Sequence, residues 1–425
     1  MTRIALLSSE PVRERMAGIG IRYLELARRL PRPGVEVVLI SPAPAAEVPP
    51  VPGEVRTFAA ESVRELVADC DAAVAQGQLA NDLVLACPEL PTAIDLYDPW
   101  LVENAHYLPT LGLDPWRNDH ATWVLQLSRG DLFLCASAEQ RLYYAGFLTA
   151  LGRVNPERLA SDPNLERLVV EVPFGVPHGP DELPQHQPLL PARRGGERRI
   201  LFGGLYDWYD PFTLLDALER LPDLDWELYL VRNPNAEVNA RGTPQALLAQ
   251  VEERCRARGW WGERVRALDW VPAERRFDLL RDVDVLCSPH RPSLETRLSL
   301  RTRFLDALAA GCPVVLTEGG TVPRLVREQG AGWVVPPADA TALADALAAA
   351  LGDEGERERR RAAGRELAAG FAWERTIAPL VRFCERPWRD ETRERFAFRP
   401  PTVAPPDALG FRVRRRLKRA LASES

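Results

Sequence analysis

Short, continuously apolar runs alternate with helical stretches along most of this 425-residue chain. Strand candidates in the first part are Arg3–Leu7, Val35–Ile40, Thr92–Leu96, Leu132–Ala136 and Val169–Phe174. A second series comprises Ile200–Gly203, Trp226–Val231, Val283–Cys287, Pro313–Thr317 and Gly332–Val335. Runs that are apolar throughout, instead of alternating, suit a parallel sheet covered on both faces. Between them lie helical patterns such as Ile21, Leu24, Ala27 and Leu30. The βαβα order implies an α/β class with parallel sheets. It breaks once, at residues 177–198 (PHGPDELPQHQPLLPARRGGER), whose proline-rich, aperiodic composition marks a linker. A chain this long exceeds one compact core. The expected division is residues 1–176, a linker over 177–198, residues 199–370, and a C-terminal segment 371–425. The alternative is one large domain with a long surface loop.

Composition removes several chemistries. Of 54 basic residues only Lys418, near the C-terminus, is a lysine. No core lysine is present to form a pyridoxal Schiff base, and no G-x-x-x-x-G-K-[ST] loop exists. A net charge of −6 argues against a nucleic-acid partner. Seven dispersed cysteines and five dispersed histidines form no metal-ligand spacing, so no metal is expected, and they suit a reducing cytoplasm. No apolar run reaches the length of a membrane span or a signal peptide.

In the first half, the opening strand leads through Ser8-Ser9-Glu10 to Gly18, Gly20 and Arg22 at the start of a helix. Glycines there permit close approach of a ligand to the backbone. The third glycine of a dinucleotide fingerprint is missing, which makes a dehydrogenase a poor reading. Tyr97 and Asp98 directly follow a strand, at the sheet edge where α/β ligands bind. They are expected to hold sugar hydroxyls or accept a proton. Asp98 also has the position of a helix N-cap, with Pro99 behind it. Ser137 and Gln140 read as a capping box.

In the second half, Gly203-Gly204 ends the first strand, a turn suited to a diphosphate. After Val283–Cys287 come His290, Arg291, Glu295, Arg297, Arg301 and Arg303, opening a helix that closes at Gly311. Arginine forks donate in pairs to phosphate oxygens, so this cluster is expected to bind an anion. A solvated basic face is the alternative. Gly319-Gly320 forms a third glycine loop at the same edge. Residues 353–369 read as a solvated, charge-laced helix.

Taken together, Met16–Arg22, Val172–Pro177, Leu305–Val315 and Ala331–Pro337 with Asp339 resemble motifs of the family 4 glycosyltransferases. The resemblance implies a GT-B fold: α/β, two facing Rossmann-like domains with parallel sheets and an interdomain cleft. It implies sugar transfer from a nucleoside-diphosphate sugar to a glycan, lipid-linked or small-molecule acceptor, with retention and without an essential metal or cofactor. Asp306 falls at the second acid of the family's E-x7-E motif. The first falls at Leu298, and Glu295 is its nearest substitute. Tyr97 stands where the family has a histidine. The implied catalytic residues are therefore Tyr97, Asp98 and Glu295. Donor binding falls to Gly203, Gly204, Arg297, Arg301, Arg303, Asp306, Gly319 and Gly320, and the acceptor side to Gly18, Gly20 and Arg22.

The missing glutamate and histidine motivate an alternative: a non-catalytic GT-B protein that binds a nucleotide sugar or a partner. A sugar-nucleotide epimerase is disfavoured by the scattered histidines. Arg412–Leu421, basic with Val413, Leu417 and Leu421 at helical spacing, fits either a helix on an anionic membrane or one packed on the first half. The expected location is cytoplasmic, with peripheral contact at the inner membrane face as the tail's contribution.

Overall fold

The computed structural model describes residues 1–58, 62–206, 208–232 and 244–398. The Arg412–Leu421 tail lies outside the described residues. Two parallel sheets organise the chain. The first contains β1 (Thr2–Leu7), β2 (Val35–Ser41), β3 (Glu54–Thr57), β4 (Ala72–Ala75), β5 (Thr92–Asp95), β6 (Leu132–Cys135) and β7 (Val169–Glu171), ordered β3-β2-β1-β4-β5-β6-β7. The second contains β8 (Arg198–Gly204), β9 (Trp226–Val231), β10 (Val265–Leu268), β11 (Val285–Ser288), β12 (Val314–Thr317) and β13 (Trp333–Val335), ordered β10-β9-β8-β11-β12-β13. Strand order reverses between β1 and β4, and again between β8 and β11. In open α/β sheets a ligand crevice opens at such a point, outside the carboxyl ends of the strands. The two crevices face one another, giving the GT-B architecture.

The central strands owe their place to burial on both faces: β4, β5, β6, β11 and β12 are buried at every residue. Three strands are absent from the sequence reading. β3 and β10 are edge strands with partly exposed side chains, and their polar residues break the apolar run. β4 reads Ala-Ala-Val-Ala, small residues that pack close beside β1 but carry weak strand preference.

The linker is tied to the second half. Asp282 accepts from the Leu189 and Leu190 N–H groups (2.6 and 2.9 Å) and pairs with His186 Nε2 (2.8 Å). Asp278 accepts from the Gln187 N–H at 3.2 Å. Beyond residue 370 the chain returns to the first half. Val176 N–H donates to Phe371 O (2.9 Å) and Trp373 N–H to Val176 O (3.2 Å). The Trp373 ring occupies the place a Cβ on Gly175 would need. Buried Asp390 pairs with Arg153 (2.7 Å) and Arg158 (2.6 Å), and Arg393 reaches Asp131 at 2.9 Å.

Helix Glu354–Ala369 differs from the solvated helix expected. Its inner face is buried against helix Thr302–Ala310, with Gly364 on Leu308. Arg357, 2% exposed, donates to the carbonyls of Ala350 and Leu351, and Arg361 Nε donates to Gly311 O at 2.9 Å. Arginine stems thus cover apolar surface while their forks satisfy helix ends.

Candidate active site

A cavity of about 640 Å³ lies between the two sheets' carboxyl edges and draws its lining from both halves. On the first-half wall, the loop after β1 and helix Gly18–Arg29 bring Glu10 and Gly18 to the cavity. A Cβ on Gly18 would stand 3.3 Å from Tyr97 Oη, so the glycine allows the two elements to meet. The Gly20 N–H at the helix start favours the ionised form of the Glu10 carboxyl. Burial outweighs that influence and pushes the carboxyl up to about 7.

Tyr97 and Asp98 both line the cavity. Asp98 caps nothing: helix Trp100–Ala105 starts after Pro99 with no side-chain cap, so the carboxylate faces the cavity. Burial, with repulsion from Glu10 and Asp95, pushes Asp98 up to about 7. Glu103, on that helix, is driven well above the usual carboxylate range by burial and by Asp98. Burial likewise carries the Tyr97 hydroxyl well above its ordinary value.

Two residues expected on the acceptor side lie elsewhere. Arg22 is fully buried beneath the cavity. Its Nε and Nη2 hold Asp95 (2.7 and 3.1 Å), its Nη1 reaches Pro173 O (3.2 Å), and its guanidinium lies 4.9 Å from the Tyr97 ring centre. One turn into a helix, it points back into the sheet. Gly20 faces the Met16 side chain instead of open space.

On the second-half wall, Arg303 opens helix Thr302–Ala310 and lays its guanidinium across Gly203, where any Cβ would overlap it. Its Nη1 donates to Tyr209 Oη at 3.2 Å. Gly204 lies just beside it, 3.5 Å from Nη2 by the same measure. Arg301 lines the cavity while Nη2 pairs with Glu295 at 2.6 Å. Asp306 lines it too, accepting from Arg276 Nε at 3.1 Å, with Oδ1 unpartnered. Burial raises the Asp306 carboxyl against the pull of Arg276.

The remaining donor-side candidates are not brought to the cavity. Glu295 is 0% exposed and accepts from Ser299 Oγ (2.6 Å) and Arg301, so it positions Arg301 instead of meeting a ligand. Arg297 points outward from the short helix Leu294–Leu298. Gly319 and Gly320, at φ of +123° and +78°, pack under Thr296. His290 is sealed between the Tyr209 and Phe304 rings. Burial and Arg301 hold it well below its usual pKa.

The sequence reading missed Glu10, Glu103, Tyr206, Trp208, Trp270 and Arg276, all lining the cavity. Glu10 follows a strand just as Asp98 does, so the same edge rule points to it. Gln140 also exceeds its expected part. Ser137 Oγ accepts from the Gln140 N–H (3.2 Å), but the Gln140 amide donates to both Tyr97 O and Leu298 O (2.9 Å each), bridging the halves. Among the described residues no cluster of three or more His, Cys, Asp or Glu is arranged to hold a metal ion. Among them, too, no helix is long and apolar enough to cross a membrane.

Residues 197–353 match the family model described as "Glycosyl transferases group 1". The phosphatidyl-myo-inositol mannosyltransferase of Mycobacterium leprae is 31% identical over 242 residues, covering 55% of this chain and 59% of that protein. The D-inositol 3-phosphate glycosyltransferase of Xylanimonas cellulosilytica is 32% identical over 187 residues, covering 43% and 40%. The matched region thus spans well under two thirds of these relatives. Among solved structures, Anabaena HepE in complex with UDP-glucose superposes with a TM-score of 0.63 at 15% identity, covering 90% of this chain and 98% of that one.

Proposed function

We propose, from the match of residues 197–353 to the group 1 glycosyltransferases, that this protein transfers a hexose from a nucleoside-diphosphate sugar to a hydroxyl-bearing acceptor. The observation that carries this reading is Arg303. Of the three cavity arginines, Arg276 pairs with Asp306 and Arg301 with Glu295. Arg303 has no carboxylate partner among the described residues. It lies on the Gly203 turn at a helix N-terminus, where backbone N–H groups and a guanidinium fork favour a diphosphate.

As the leaving diphosphate gains charge, Arg303 and these N–H groups stabilise it. Asp306 Oδ1 is free to accept from a ribose hydroxyl. Val231, Trp270 and Val271 offer an apolar wall for the base. Tyr97, Asp98 and Gly18 face the acceptor. The family resemblance supports retention and transfer without an essential metal. The relative named for phosphatidyl-myo-inositol supports a lipid-linked acceptor among the candidates. A cytoplasmic site of action, with the Arg412–Leu421 tail at the inner membrane face, completes the proposal.

A thermal-shift panel of uridine and guanosine diphosphates and their sugars tests it, since a ligand of the folded state raises the midpoint. One donor should raise the midpoint, and Arg303→Ala should weaken its binding by roughly ten- to a hundredfold. No shift with any donor would sink the reading. The buried Glu295, and Leu298 at the motif position, favour a second reading as a nucleotide-sugar-binding protein without turnover. Donor binding with neither transfer nor hydrolysis would establish that alternative.

A further inference from the structure

The two walls of the cavity carry opposite charge. Among the described residues, its second-half wall holds Arg276, Arg301 and Arg303 against a single acid, Asp306. Its first-half wall holds Glu10, Asp98, Glu103 and Asp119 and no arginine, lysine or histidine. In a chain with 54 basic residues, that exclusion is a property of the wall. Glu10 Oε2 has no hydrogen-bond partner, and no ion pair engages the Glu10 or Asp98 carboxylates among the described residues. The groups acting on Asp98 are Glu10, Asp95 and Tyr97, with Arg22 behind them already committed to Asp95. Beside this wall Trp208, only 7% exposed and in edge contact with Tyr107, lines the same cavity with its indole N–H unpartnered.

A phosphorylated acceptor would set like charge against these carboxylates in a desolvated space. A neutral polyol would leave their mutual repulsion in place. An ammonium group relieves that repulsion and supplies three donors. Resting on the glycosyltransferase reading above, we propose that the acceptor is an aminated sugar or cyclitol whose protonated amine seats between Glu10 and Asp98. Its hydroxyls then meet the amides of Gln76, Gln78 and Asn104 on the same wall. The specificity thereby departs from the phosphate-bearing compounds named for the curated relatives.

Calorimetric titration of the full-length, nucleotide-diphosphate-loaded protein tests this with 2-deoxystreptamine and glucosamine. Myo-inositol and glucose serve as neutral counterparts, and myo-inositol 1-phosphate as the anion. The amines should bind at least about tenfold tighter than the neutral compounds, with the phosphate weakest. Glu10→Gln and Asp98→Asn should each cut the amine preference to about threefold or less, while the nucleotide-induced thermal shift persists as proof of folding. Equal or tighter binding of a neutral or phosphorylated probe overturns the proposal. So does an amine preference that survives both substitutions, or absence of amine binding in the loaded protein. Failure of every nucleotide to load overturns the glycosyltransferase reading itself, and this inference falls with it.

Discussion

The two walls of the cleft solve the problem of buried charge in different ways. On the second-half wall, Arg276 is matched to Asp306 and Arg301 to Glu295, which leaves Arg303 without an ion-pair partner among the described residues. On the first-half wall, burial drives the acids toward their protonated forms, with Glu10 and Asp98 adding repulsion on their neighbours, and Arg22 behind them is spent below the surface on Asp95. An arginine fork keeps its charge over the whole working pH range. Unpaired acids stay poised to change with a ligand or with pH. The comparison therefore separates a wall built for a fixed anion from one whose charge depends on its occupant.

The comparison is broken most severely from below. Arg22→Ala strands Asp95 in the core and should lower unfolding free energy by about 3–5 kcal/mol, read from urea denaturation. A loss under 1 kcal/mol would show that Arg22 does not hold the acidic wall together. Next in size is the pH dependence. Glu10 and Asp98 titrate near 7 when folded, against 4.5 and 3.8 as ordinary carboxyls. Between those limits the folded chain binds more protons than the unfolded one, so stability should fall as pH rises from about 4 through about 7. The Glu10 share of that loss is on the order of 3 kcal/mol, and Glu10→Gln should remove that share while the Asp98 share remains. A stability that rises over that interval in wild type and mutant alike would contradict the poised acids. The smallest effect tests the alignment of the walls. Gln140→Ala removes the amide that joins Tyr97 O to Leu298 O. It should cost about 1–2 kcal/mol and lower turnover about tenfold, with donor affinity unchanged.

Much of this molecule is legible in the sequence because burial on two faces leaves an apolar run that needs no context. β1, β6, β11 and β12 announce themselves that way. The cleft residues that follow strand ends, such as Tyr97, Asp98 and Arg303, are legible through topology. Direction within a helix is not. Arg22, Arg297 and Arg303 each sit near a glycine turn or helix start, yet one points into the core, one to solvent and one to the cavity. A turn of about 100° per residue decides among these outcomes, and the short helix Leu294–Leu298 sets its phase through tertiary packing alone. Glu295 has the chemistry of a catalytic acid but is claimed by Ser299 and Arg301. Trp270 and Arg276 reach the cavity only because β10 and the helix after it lie across from the first half.

The polypeptide passes between the halves twice, once after Val176 and again before Trp373, and the two crossings are hydrogen-bonded to each other. The two crossings thereby form one joint between the halves, like two adjacent knuckles of a hinge. Cutting the chain within residues 179–185 would leave the second knuckle intact. The halves of a nicked molecule should still travel together through gel filtration.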